Sequence, residues 1–524
     1  MVAALKSISG FLRRFPWHRF AAGAIAGGGA LIITLILRTL SLGLFLPEVA
    51  VEFTVGRTPG EIESFFIRTL GEGAKLLALL TAVVVFLILP GIYATLFWRV
   101  QKWLKRRWYV IAFFTFTSAG IILLGILPLL DAGFFGSKTS AGPAFASFSQ
   151  VLGSWVYAAV LDYAFVEVAP RYPDGFSLSR RQFLAGSVGA IALAILAIYG
   201  FASLSMKKGR LVFASIAEMF AKEVTPTSEF YVVTKNVIDP TVDAASWQLS
   251  IGGLVTTPAT YDYPRLLAKA DPTDPDNVDA LVTLECVSNE VGGNLISNGR
   301  WNGVRLSALL QPTGLDPTAD WVVFTCADGY TAAIPLNRAM NPNTMVAVRM
   351  NEAPLTTAHG FPARIIVPGL YGMFHAKWLT RIEATRGEYL GYWQQKGWTN
   401  SDYDKNGQEN GRVHTTAIIA TPADSTVVGG IVHIGGIAFA GDRGISAVDV
   451  STDGGATWKS ATLSSHKSNL TWVLWTLDWT PPRSGSFRIV ARAVDAAGTP
   501  QDLNPAPPFS EGSAGYDSIT LLVS

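Results

Sequence analysis

Five apolar stretches in the first two hundred residues limit the fold of this chain more than anything else in it. They cover residues 22–46, 74–97, 109–130, 145–168 and 183–205, each close to the ~20 residues a helix needs to cross the hydrocarbon of a bilayer. Backbone polar groups have no water to bond there, so such stretches must be helical. Residues 1–207 are therefore expected to form an all-α transmembrane domain of five spans. The whole composition agrees: 49% of the 524 residues are hydrophobic, 15% are charged, and the mean hydropathy is +0.32.

The flanks set the orientation, because Lys and Arg stay on the cytoplasmic side. Lys6, Arg13, Arg14 and Arg19 precede the first span; Arg99, Lys102, Lys105, Arg106 and Arg107 follow the second; Arg171, Arg180 and Arg181 precede the fifth. Residues 47–73 carry Glu48, Glu52, Glu61, Glu63 and Glu72 and fall outside, as does everything after Lys208. A net charge of +2 argues for no nucleic-acid partner. Arg38 and Asp162 lie inside spans at depths that differ by roughly 13 Å at 1.5 Å per residue, so each is expected to snorkel or to bond backbone rather than pair with the other. The spans contain no histidine, which excludes standard haem ligation in them.

From about Leu211 short apolar runs alternate with Gly, Pro, Asn and Asp. "WQLSIGGLV" (247–255), "WVVFTCA" (321–327), "ARIIVPG" (363–369) and "FRIVARAV" (487–494) read as strands, and "YPRLLAKA" and "LSALL" as short helices. Residues 208–414 are expected to be an α+β, mainly β, domain. Residues 415–524, with a turn at Asp453-Gly454-Gly455, read as an immunoglobulin-like β-sandwich.

Two cysteines, Cys286 and Cys326, are too few for a disulfide framework and lack zinc spacing. In "LVTLECVSNEVGG" (281–293) a strand runs into Cys286 and then a glycine-ended loop. By itself this is either a small buried hydrophobe or a thiolate for a soft metal whose other ligands come from a cofactor.

The surrounding segments resemble the sulfite oxidase family of molybdopterin-dependent oxidoreductases. "TLECVSNEVGG" with "RWNGVRLSALL" is similar to the family's cysteine segment. "HGFPARIIVPGLYGMFHAKWLTRIE" (359–383) is similar to its His-Gly-x-Pro-x-Arg, Val-Pro-Gly and Lys-Trp-Leu segment. "VDVSTDGGATWKSA" with "WTLDWTPPRSGSFRIVARAVDAAGTPQ" is similar to its C-terminal dimerisation domain. The resemblance implies a molybdenum–molybdopterin cofactor with Cys286 as the protein thiolate on the metal. It implies His359, Arg364 and Lys377, with His375 beside them, around the pterin phosphate; Asn289 bracing the cysteine loop; and Asp328, in "CADGYTAAIP", either bonding the pterin or forming a turn. The early Phe-x-Arg-Asn-His element is replaced by "FYVVTKN" (230–236), where Lys235 and Asn236 stand in. Cys326 is left as a buried thiol. The arginine pair that follows the loop Asn in sulfite oxidases is here Glu290 and Val291, which disfavours a dianionic substrate.

"SRRQFLAGSVGA" (179–190) resembles a twin-arginine export signal, and an enzyme that takes up its cofactor in the cytoplasm needs a route for folded cargo. The combined expectation is an oxidoreductase anchored in the bacterial cytoplasmic membrane, its catalytic domain outside, transferring an oxygen atom and two electrons to or from a small substrate other than sulfite. Lacking a haem attachment motif, an iron–sulfur cysteine set or a dinucleotide fingerprint, it needs an external electron carrier, a cytochrome or a quinol-linked protein. The dimerisation-type module leaves room for a homodimer. Two other readings stand beside it: a reductase of methionine sulfoxide in exported proteins, and a cofactor-free anchored binding module.

Overall fold

The computed structural model describes residues 16–70, 73–139, 141–168, 209–399, 411–465 and 467–524. These form two compact units. The first takes the described residues up to Thr58, from Phe65 to residue 168, and Lys235–Ile238; the second takes Pro59–Ser64, residues 209–234 and Asp239 onward.

Among the described residues of the first unit, four helices are long and apolar enough to cross a membrane: α1 (Trp17–Thr39), α2 (Gly73–Ala94), α3 (Arg107–Ile121) and α4 (Gly142–Asp162). A π-helical turn continues α3 at Ile122–Ile126 and another continues α4 at Tyr163–Val168. The fifth expected span and the twin-arginine segment lie outside the described residues. The first span ends earlier than expected, at Thr39, because Ser41 adopts a left-handed φ of 60° and Pro47 opens a new helix, Leu46–Arg57, in its first turn. Helices pack closely where side chains are small: a Cβ on Gly23 of α1 would lie 2.3 Å from that of Ala94 on α2. Ala26, Phe97, Phe114, Tyr157 and Leu161 form the buried centre.

Both charges in the apolar helices have ionic partners, which the expectation of snorkelling or backbone pairing did not include; Arg38 Nη2 also donates to the backbone, at Ile238 O, at 3.4 Å. Arg38 forms a two-pronged pair with buried Glu48, Nε–Oε2 2.8 Å and Nη2–Oε1 2.9 Å. Buried Asp162 accepts from Arg107 Nε at 2.5 Å. Each partner stands in the first turn of another helix, Glu48 in Leu46–Arg57 and Arg107 at the start of α3, and a carboxylate among apolar helices is costly unless it is paired.

In the second unit, one sheet has the order β2-β1-β10-β5-β6, with β1 Gln248–Gly253, β2 Ala259–Asp262, β5 Trp321–Cys326, β6 Thr331–Pro335 and β10 Leu379–Thr385. A second sheet runs β3-β4-β7-β8, with β9 also on β7; these are β3 Asn277–Glu285, β4 Ile296–Arg305, β7 Met345–Met350, β8 Ala353–Pro354 and β9 Arg364–Ile366. Helices Tyr263–Lys269, capped by Asp262 accepting from Arg265 N at 2.9 Å, and Leu306–Leu310 fill in between. Beyond residue 411 two further sheets share one apolar core containing Ile434, Val448, Trp475, Ile489 and Leu521. Asp453 closes the turn after the strand Ile445–Ser451 by accepting from Thr457 N at 2.9 Å and from its hydroxyl at 2.6 Å.

A candidate cofactor site at Cys286

β3 is buried along its second half because alternate and then successive apolar residues, Val282 and Leu284 among them, face the core that holds Trp301 and Met345. The strand ends at Glu285, so Cys286 stands at the head of the loop that follows. Its side chain is buried, with Sγ 3.1 Å from Ser288 Oγ. The loop is tied at both ends by Asn289, whose Nδ2 donates to Glu285 Oε1 at 2.9 Å while its Oδ1 accepts from Leu295 N at 3.0 Å. A braced loop fixes the position of the sulfur, which also shares a hydrogen bond with Ser288.

Arg364, the first residue of β9, is 6% exposed. Its Nη1 donates to His359 O at 3.3 Å and its Nη2 to His375 O at 2.9 Å, but its buried Nε has no partner. No carboxylate pairs with it among the described residues, and burial brings its pKa down to about 10. A buried cation held by two carbonyls and the face of Trp301, 5.0 Å from the ring centroid, with one donor unmet, is costly by itself and suited to an anion. Gly360, at φ 101°, lets Lys377 and Arg364 converge: a Cβ there would lie 3.0 Å from that of Lys377 and 3.2 Å from that of Arg364. Lys377 Nζ donates to Ala358 O at 3.1 Å and lies over the Trp378 ring. His359 joins the cluster with its Nε2–H on Thr227 O at 3.0 Å; burial, helped by Arg364 and Lys377, lowers its pKa to about 4.

Other predicted residues have different surroundings. His375 accepts Val367 N–H on Nδ1 (3.2 Å) and donates from Nε2 to Leu370 O (3.1 Å), so both ring nitrogens are consumed by backbone. Burial, then Arg364, lowers its pKa to about 3. That corrects the expectation that it faces a phosphate: it is neutral and shapes the Val-Pro-Gly turn. Asp328 occupies the β5–β6 turn and accepts Tyr330 N–H at 3.0 Å, the turn-forming alternative. Lys235 donates to Asn236 Oδ1 at 2.9 Å, and both belong to the segment grouped with the first unit. Cys326 is buried at the end of β5 and forms no disulfide.

Two tyrosines escaped the sequence reading, which searched for charges. Tyr330 donates to Met373 O at 2.5 Å. Burial raises its pKa strongly, and Cys326, Asp328 and Cys286 add to the rise. Burial and then Cys286 raise the pKa of the Tyr231 phenol as well. Gly372 lies where a Cβ would be 2.5 Å from the Tyr231 hydroxyl and 3.7 Å from Cys286 Cα, which places that phenol beside the cysteine. Tyr330 follows Asp328 by two residues and Tyr231 sits in "FYVVTKN", so both were visible as neighbours of recognised motifs. Glu285 was also missed: burial lifts its pKa to about 7.

Among the described residues no group of three or more His, Cys, Asp or Glu side chains is able to hold a metal. A metal held by Cys286 would need further ligands from a non-protein group, and the unmet Arg364 donor would fit an anionic part of such a group. The chain matches the family model of the oxidoreductase molybdopterin binding domain over residues 236–393 and that of the Mo-co oxidoreductase dimerisation domain over 410–505. It is 34% identical to the mitochondrial sulfite oxidase of Rattus norvegicus, over 41% of this chain and 47% of that one. It is 29% identical to the sulfite oxidase of Arabidopsis thaliana, over 54% and 83%, and 30% identical to the uncharacterized oxidoreductase YuiH of Bacillus subtilis, over 33% and 82%. The chain spans about half the length of the mammalian sulfite oxidases it matches. A thiol at the head of a braced loop, a buried arginine lacking an anion and these two matched domains together make the chain a member of the sulfite oxidase family of molybdopterin-dependent oxidoreductases, with molybdenum–molybdopterin as its cofactor.

Proposed function

We propose that the protein is a membrane-anchored, extracytoplasmic oxidoreductase that moves an oxygen atom and two electrons to or from a small substrate other than sulfite. The observation that carries this is the pairing of Cys286, at the head of its braced loop, with buried Arg364, whose Nε is unmet. When bound, the cofactor supplies two-electron redox chemistry at molybdenum. Cys286 holds the metal as a soft thiolate. Arg364, with Lys377 and His359, holds the anionic end of the pterin, Asn289 keeps the loop in place, and Asp328 orders the turn that carries Tyr330.

The two phenols keep their protons through neutral pH, since burial raises both pKa values. Tyr231 Oη is therefore a neutral donor for an oxygen-bearing substrate. Beyond Asn289 stand exposed Glu290 and half-buried Val291, which offer a dianion no cation. Electrons leave or arrive through an external cytochrome or quinol-linked carrier. The C-terminal two-sheet module is the immunoglobulin-like dimerisation domain, and the fifth apolar stretch, led by Arg180 and Arg181, is the export signal and last anchor.

The test is a substrate screen on the molybdenum-loaded full chain with an artificial electron dye. Cys286→Ser is expected to abolish turnover in a folded protein, and retained turnover overturns the assignment of the metal ligand. Sulfite is expected to give background rates; turnover of sulfite as the preferred substrate contradicts the reading of Glu290 and Val291.

A further inference from the structure

A cleft of about 1050 Å³ opens in the second unit, away from Cys286, between β3, the β7–β8 turn and the loop that precedes the strand Val473–Trp479. Its floor is an edge of a sheet. β3 pairs with β4 on one side only, and Thr283 N–H points away from β4 to meet Leu470 O at 2.9 Å. Antiparallel strands alternate the direction of their backbone groups, so Leu281 and Asp279, two and four residues earlier, also turn N–H and C=O away from β4. The Asn277 N–H, one step further, bonds Asp274 O at 3.1 Å. Among the described residues nothing pairs with the outward backbone groups of Asp279 and Leu281, and both residues line the cleft.

The charges in the walls are spent within the protein. Arg300 is paired with Asp279 at 2.8 Å and with Glu352 at 2.8 Å; Asp442 with Arg338 at 2.7 Å and Arg412 at 2.9 Å; Lys467 with Glu223 at 2.5 Å. The cleft thus has no unbalanced field to attract a phosphate, a cation or an acidic or basic peptide. Besides the strand edge it offers the amides and hydroxyl of Asn341, Asn343, Asn469 and Ser468, of which Asn341 Oδ1 and Ser468 Oγ already accept from Asn343 N and Leu470 N at 2.9 Å each, and the small apolar surfaces of Val224, Pro368 and Leu470. Polypeptide backbone flanked by uncharged polar side chains matches both features at once.

We propose that this cleft is a docking site for an extended, uncharged polar segment of a partner polypeptide, which adds a strand to the β3 edge at Asp279 and Leu281. Specificity comes from the asparagine-lined walls and affinity from the main-chain ladder.

The probe is a pool of blocked hexapeptides built from Ser, Thr, Asn, Gln and Val, added at millimolar concentration to the full chain in detergent. Amide hydrogen exchange is read at Asp279 and Leu281. The pool is expected to slow exchange at both amides, and a matching pool N-methylated at every residue is expected to protect them roughly tenfold less or worse, having lost its ladder donors on both edges. Leu281→Pro removes one outward N–H at a position where an edge strand tolerates proline, and is expected to weaken binding of the pool by fluorescence anisotropy. The N-methylated pool needs no variant, so a misfolded L281P leaves the test intact. Absence of protection by the unmodified pool, or equal protection by both pools, overturns the proposal. Protection by an oligosaccharide alone overturns it too, as does protection that rises with protein concentration without any peptide, which would make the occupant a second copy of the chain.

Discussion

At the scale of single residues, His375 and Arg364 separate structural from ligand-directed roles. His375 Nδ1 is occupied by a backbone donor, so protonation there breaks a bond. Its pKa falls from 6.5 to about 3, so between those values the unfolded chain binds a proton that the folded chain refuses. Stability is full above pH ~6.5 and drains as pH falls, by about 1.4 kcal/mol per unit at most. His375→Asn is expected to recover about 2 kcal/mol of the loss between pH 7 and 4.5, read as the shift in urea midpoint for the cofactor-free chain in detergent. Arg364→Gln should lower molybdenum content at least about tenfold, because a neutral amide replaces the buried cation, and cost about 1–3 kcal/mol by freeing two carbonyls; metal analysis and the same urea curves measure both. The roles proposed for Cys286 and Arg364 come from the motif segments that carry them, and the structure gives each a loop-head or buried position. His375 was misread because its spacing from Arg364 is the same whether the ring faces a phosphate or its own backbone, and Tyr231 was passed over because a phenol beside a sulfur leaves no charge pattern.

At the scale of elements, the site depends on a relay of strand pairings. Gly303 of β4 faces Ala347 of β7, and Ala347 faces Arg364 of β9. A Cβ on Gly303 would lie 2.1 Å from Val346 O and 2.6 Å from Ala347 Cα, both backbone atoms that cannot turn aside. Gly303→Ala is expected to cost roughly 2–4 kcal/mol and, by pushing β7 outward, to loosen Arg364. Molybdenum retention should fall in parallel with the urea midpoint; a normal midpoint and metal content would show that the strands absorb the methyl group. Strands β1, β5 and β9 and the two short helices were legible from local pattern. The end of α1 was not: the apolar run continues past Thr39, and hydropathy does not register the left-handed turn at Ser41 that breaks the helix.

At the scale of the whole molecule, the proposed orientation makes its own prediction. With Arg180 and Arg181 both changed to Lys, the residues after 208 are expected to stay in the cytoplasm, protected from protease added to spheroplasts, whereas in the unchanged chain they are digested. Equal digestion of both proteins would show that the arginines only obey the positive-inside rule.

The sequence alone determined where long apolar helices and strands arise and which thiol is proposed to meet the metal, because hydropathy, period and motif are properties of neighbouring positions along one chain. Only the tertiary structure decided that Arg38 pairs with Glu48, that His375 is locked to backbone, that Tyr231 stands beside Cys286 and that the outer edge of β3 is left open. Those outcomes depend on which polar groups meet after distant segments pack, and each group left unmet is fixed by its neighbours in space rather than by its spacing in sequence.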